Sequence, residues 1–183
     1  MSSEKIAAEY LTNVSKEFRK TKQLADRAIA QVSDHDLFEI ISPESNSIAI
    51  IMKHLAGNMR SRWTDFLTSD GEKPDRQRDT EFIIETKDTK DRLLEFWEAG
   101  WRCLFSALDS LKTEDVDKTV YIRNEPQLVL EAINRQIKHY AYHVGQIVFL
   151  ARYFAGEKWQ TLSIPKGKSE EFNQTMQKEN KMP

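Results

Sequence analysis

From Pro126 to Gly156 the chain reads PQLVLEAINRQIKHYAYHVGQIVFLARYFAG, and this stretch decides the fold class. Its apolar residues Val129, Ile133, Ile137, Tyr140, Val144, Ile147, Ala151 and Phe154 recur at intervals of three and four. That is the period of a helix with one buried stripe, not the alternation of a strand. Pro126 falls near the N1 position, where its missing N–H costs nothing, and Gly156 stops the run.

Three stretches nearer the N-terminus repeat the pattern. The first runs through Ile6, Tyr10, Val14, Phe18, Ala25, Ala28 and Val32 as one long helix. A loop over 33–46, with Pro43 in it, precedes a second helix that Asn46 or Ser47 can cap. The second helix carries Ile48, Ile51, Met52, Leu55, Met59, Trp63, Phe66 and Leu67 and stops at Ser69, Asp70 and Gly71. In the third, Leu94, Trp97, Trp101, Leu104, Leu108 and Leu111 form a seam, which assigns Trp97 and Trp101 to the core. Between the second and third helices, 71–91 is charged and mixed in sign, with Phe82, Ile83 and Ile84 as its apolar cluster. Val120, Tyr121 and Ile122 are placed to pair with that cluster as a short strand. Four helices with one stripe each bury those stripes best against one another, so the expected class is all-α, a four-helix bundle with long connections. The bundle domain takes 1–156. Residues 157–183 form a partly irregular C-terminal tail that packs on the bundle or is in part disordered.

The chain has 183 residues, with 27 Lys+Arg against 29 Asp+Glu, a net charge of −2. That length suits one domain able to bury its own core. A nearly neutral chain lacks the broad positive field of nonspecific nucleic-acid binders, so no nucleic-acid partner is expected. The single cysteine, Cys103, excludes an intrachain disulfide and a thiolate zinc cage. The stretch from Met1 to Tyr10 lacks the apolar segment of a secretory signal, and no run approaches the ~18 apolar residues of a membrane span. A cytoplasmic protein with no membrane partner is expected.

Of the four histidines, His139 and His143 stand four apart on one face of the last helix, where side chains about 5–6 Å apart can share one ion. Both lie on the flank of the apolar stripe, with Gln136 a turn earlier. On the second helix His54 occupies the flank of the Ile51, Leu55 and Met59 stripe, with Ser47 and Asn58 near it on the same side. Side-by-side packing of the two helices would bring three imidazoles to one cavity. Three neutral imidazoles suit Zn²⁺, Ni²⁺ or another borderline divalent ion and leave a coordination position open, a catalytic rather than a structural pattern. The interval Tyr140-Ala141-Tyr142 lacks the Glu of an H-E-x-x-H peptidase, and no helix carries the Glu-x-x-His of a di-iron bundle. His35, between Asp34 and Asp36, reads as solvated, and Cys103 as a small buried side chain rather than a nucleophile. From spacing alone, a hydrogen-bonded or surface histidine pair stands beside the metal reading.

The run from Glu131 to Gln136 followed by HYAYHVGQI from His139 to Ile147 resembles the H-x-x-x-H-x-G-Q-I signature of the DinB-like superfamily, the DinB/YfiT-type metal-binding bundles. The tail WQTLSIPKGKS from Trp159 to Ser169 resembles that of one uncharacterised bacterial subgroup within it. The resemblance covers nearly the whole chain. It implies a four-helix bundle in which His54, His139 and His143 hold a divalent metal, and it implies a homodimer. Members of known activity join low-molecular-weight thiols such as bacillithiol or mycothiol to electrophiles, or use them in isomerisation. A thiol and an electrophile are therefore the implied small-molecule partners, and a thiol S-transferase is favoured over a hydrolase. With Cys103 the lone cysteine, the sulfur would arrive with a cofactor. Arg135, Gln136, Gln146, Asn58 and Tyr142 are candidates for pocket roles. A metal-binding, stress-related module without turnover and a structural helical dimerisation protein remain alternatives.

Overall fold

A computed structural model describes residues 2–179. The chain is mainly helical: α1 (Ser3–Ile29), α2 (Asp34–Phe38), α3 (Ile48–Trp63), α4 (Lys90–Ser110), α5 (Val129–Ala155) and α6 (Ser169–Glu179), with one two-stranded sheet, β1 (Thr119–Ile122) and β2 (Glu125–Leu128). Helix starts follow the side chains available. Ser2, Ser33, Ser47 and Thr89 each accept a backbone N–H from the first turn of α1, α2, α3 and α4, which satisfies donors the helix leaves orphaned. No helix among the described residues is long and apolar enough to cross a membrane.

The four long helices close around one core. α1 packs on α5 and α4, and α3 packs on α4 and α5. Trp97, Trp101 and Tyr140 are fully buried where these helices meet, as the seam spacing anticipates for both tryptophans. α3 is the innermost element, with 13 of its 16 residues buried. It is covered by α4, by α5 and by a 3-10 turn at Arg78–Phe82. A helix enclosed on nearly every side must satisfy its polar residues internally, and this enclosure is what places His54, Asn58, Ser61 and Arg62 inside. Gly100 of α4 sets the α3–α4 spacing, because a Cβ there would lie 2.9 Å from the Ala56 Cα.

Several sequence expectations are corrected. The first helix ends at Ile29 rather than Val32, and the loop over 33–46 contains the short α2. α3 ends at Trp63. Phe66 and Leu67 prolong its apolar pattern but sit in a turn in which Asp65 adopts a φ of 48°. Val120–Ile122 does not pair with Phe82–Ile84. It pairs antiparallel with Glu125–Leu128, so Pro126 lies in a strand and α5 starts at Val129. The local partner wins because Arg123 and Asn124 form a two-residue turn with φ of 56° and 61°, the geometry that matches strand twist. The C-terminal tail begins by docking: the Gln160 N–H donates to the Gln31 side chain at 2.7 Å, and Trp159 and Leu162 pack on the core. Phe172 and Met176 of α6 are exposed, and 180–183 lie outside the described residues.

Candidate metal centre

α3 and α5 bring His54, His139 and His143 together, with one ligand nitrogen of each within 4.8 Å of the others. The ring centroids are 4.8–5.3 Å apart. The Nε2 atoms of His54 and His139 are 3.3 Å apart, and two nitrogens bound tetrahedrally at 2.0–2.1 Å would stand about 3.3 Å apart. His54 is buried, and His139 and His143 are half-buried.

Hydrogen bonds aim two of the rings. Nδ1 of His54 lies 2.9 Å from Glu81 Oε2, and Nδ1 of His143 lies 2.8 Å from Gln146 Oε1. Both partner atoms are acceptors, so each Nδ1 donates, and in the neutral ring that arrangement leaves Nε2 with the lone pair a metal ligand requires. Charge supports the same state. Burial, with His143 and His54 alongside, pushes His139 down to about 3. Burial also pushes His143 down, against the Gln146 hydrogen bond. Neutral imidazoles facing one point suit a borderline divalent cation.

Glu81 is held where it acts. Burial pushes its carboxyl up, but hydrogen bonds from His54 and Arg76 outweigh this and leave it below the usual carboxylate range. Arg76 grips it with two bonds of 2.8 and 2.9 Å. Its approach to α3 depends on Gly57, since a Cβ there would overlap Glu81 Oε1. Arg76 and Arg62 both reach Glu72, and Arg62 also donates to the Gly71 carbonyl. Farther in, buried Tyr140 accepts from Trp63 Nε1 at 3.1 Å and donates to Asn58 Oδ1 at 3.0 Å, which fixes α3 against α5 next to the histidines.

His54 and His139 open onto a cavity of about 240 Å³ whose wall includes Asn58, Gln136 and Arg135. A larger cavity of about 410 Å³ lies on the far side of Glu81 and Arg76 and touches none of the three histidines. Of the pocket candidates, Asn58, Gln136 and Arg135 line the smaller cavity and Gln146 orients His143. Tyr142 is 64% exposed with its ring against His143. Ser47 caps α3 and does not join the site. His35 is solvated beside Asp36, as expected. Cys103 is half-buried beside Thr64 and lines a different cavity. Sequence reasoning missed Glu81, Arg76 and Gly57. The one signal was the charged, mixed-sign composition of 71–91, which marks no single residue.

The fold and the histidine centre define a helical protein with three imidazoles close enough to hold one metal ion. The model of the family described as "Protein of unknown function (DUF1572)" matches residues 5–168, and the chain belongs to that family. A crystal structure of a conserved protein from Enterococcus faecalis is similar, with 21% identity, a TM-score of 0.54, and coverage of 86% of this chain and 99% of that one. It supports the fold alone. No curated protein matches the chain.

Proposed function

We propose that this chain is a DinB-like four-helix bundle and a divalent-metal-dependent transferase, in which His54, His139 and His143 hold the ion and a low-molecular-weight thiol attacks an electrophile. The carrying observation is the convergence of three imidazole nitrogens within 4.8 Å, with two of the rings oriented by hydrogen bonds at Nδ1. A bound zinc or nickel ion would lower the pKa of a thiol or water at its open position. The chain's own groups account for the rest. Glu81 fixes the His54 ring, Gln146 fixes His143, and the Tyr140–Asn58 bond holds the two helices in register. The choice of a thiol such as bacillithiol as the nucleophile follows the resemblance of the segment from His139 to Ile147 to the DinB-like signature.

A homodimer fits this reading, because Tyr142, Phe149 and Tyr153 leave an apolar strip exposed on α5. The lone cysteine suits the reducing cytoplasm.

Elemental analysis of tag-free protein beside a His54→Ala, His139→Ala, His143→Ala variant tests the ion. About one divalent ion per wild-type chain and none in the variant is expected, and negligible metal in both overturns the reading. Thiol transfer from bacillithiol, glutathione or coenzyme A to a chromogenic electrophile tests turnover. Metal without conjugation above the variant's rate would leave the binding module as the function. Light scattering decides the dimer.

A further inference from the structure

We propose that the substrate acted on at the histidines is a small anion, and that Arg62, Arg76, Arg78, Arg123 and Arg135 form the subsite for its carboxylate or phosphate group. The inference rests on the metal reading, because it takes His54 and His139 as the reacting end of the same cavity.

All five arginines line the 240 Å³ cavity that those two histidines share. In a chain of net charge −2, this is a local concentration of cations rather than a general property of the surface. The carboxylates that answer these arginines are not among the residues lining the cavity. Glu72 serves three arginines at once, accepting from Arg62 at 2.9 Å and Arg123 at 3.1 Å and standing 3.5 Å from Arg76. Glu81 is committed to Arg76 and His54. Arg78 pairs with Asp79 at 3.6 Å and lies 4.9 Å from the Phe82 ring centroid, and Arg135 pairs with Glu125 at 3.3 Å. Those carboxylates are 100% and 67% exposed, so both ion pairs are weak in water and an anion in the cavity can compete for either guanidinium.

Two residues of the lining each carry a buried polar atom that has no partner among the described residues: Nε of Arg62, a donor, and Oε1 of Gln136, an acceptor. Both residues are at least 94% buried. Such atoms are costly to leave unpaired, and native interiors rarely do so. Guanidinium forks match the geometry of carboxylate and phosphate oxygens. The volume falls below the ~300–1,000 Å³ of drug-sized sites, which fits a compact anionic group and not a long chain. The hairpin contributes directly, since the β1–β2 turn delivers Arg123 to the rim.

The test is calorimetric titration of inorganic phosphate and of succinate into metal-free and zinc-loaded protein at constant ionic strength, for wild type and an Arg78→Gln, Arg135→Gln variant. Both substituted side chains are about half exposed, so the variant keeps its fold, which thermal melting checks. Saturable one-to-one binding is expected in wild type. The variant should bind about tenfold more weakly or worse at unchanged zinc content. Tighter binding of phosphate or of succinate identifies which anion the subsite takes. No saturable binding of either, or equal affinity in the variant, overturns the subsite while a zinc-bound wild type leaves the metal reading standing. Anion binding by a chain that takes up no zinc supports the subsite and overturns the metal reading alone.

Discussion

Glu81 and His54, 27 positions apart in the chain, meet at 2.9 Å through Oε2 and Nδ1, and this contact turns an exposed-sequence loop into the rear wall of the histidine centre. The carboxylate fixes the orientation of the ring through Nδ1. Such partners are worth 10- to 100-fold in metal affinity. In Glu81→Gln the amide oxygen can still accept from Nδ1–H, but the negative charge and the Arg76 fork are lost. The variant is expected to bind zinc about tenfold more weakly or worse, measured by competition with a chromophoric chelator. Affinity equal to wild type would show that the carboxylate has no part in holding the ring.

Gly57 tests the same contact from the other side. A methyl group at 57 meets the Glu81 carboxylate, the movable end of a side chain, so the carboxylate shifts and the helix stays. Gly57→Ala also gains about 1 kcal/mol of helix propensity. The expected outcome is weaker zinc binding with little change in melting temperature. The effects of Gly57→Ala and Glu81→Gln should be less than additive in the double variant, because both remove one interaction.

The helices and the three histidines were legible because both carry a period. Val129 to Phe154 repeats every three or four residues, and His54, His139 and His143 each lie on a stripe's flank, so packing α3 against α5 is enough to bring them together. Glu81, Arg76 and Arg123 sit on a 3-10 turn, a loop and a hairpin, where no period relates a residue to its neighbours in space. Phe66 and Leu67 show the opposite failure. Their spacing continues the α3 stripe, yet they reach the core from a turn after Trp63, since burial constrains where a side chain ends and not how its backbone gets there. Pro126 was compatible with a helix start by chemistry alone, and the Arg123-Asn124 turn, a tertiary choice supported by Asp70, assigned it to β2.

Gly100→Ala should behave differently from Gly57→Ala. The added Cβ would lie 2.9 Å from the Ala56 Cα and 3.2 Å from its carbonyl oxygen. Backbone cannot swing aside as a carboxylate can, so α3 and α4 must separate. Overpacking of this kind costs about 1–3 kcal/mol, from which roughly 1 kcal/mol of helix propensity is recovered. Urea unfolding should show a net loss of stability. A variant as stable as wild type would mean that the two helices have slack at this crossing.

Acid stability should depend on Asp70, which ties the loop after α3 to the hairpin that carries Arg123. Its carboxylate accepts the N–H groups of Glu72 at 2.7 Å, Arg123 at 2.8 Å and Asn124 at 2.7 Å. Desolvation pushes its pKa up, but the three N–H donors and nearby Arg62 outweigh that and hold it below the ordinary value of 3.8. With the folded pKa depressed, the unfolded chain binds the proton more readily. The contribution is therefore complete above about pH 4 to 5 and is lost as pH falls through the folded value. Solvent around the carboxylate limits it to about 1 kcal/mol. In Asp70→Asn one oxygen replaces two and the charge is gone, so the variant should be less stable by about that amount at pH 7. As the wild-type carboxylate protonates, the two unfolding curves should converge below pH 4. A gap between them that stays constant from pH 7 to pH 3 would mean that Asp70 acts through shape and not through its charge.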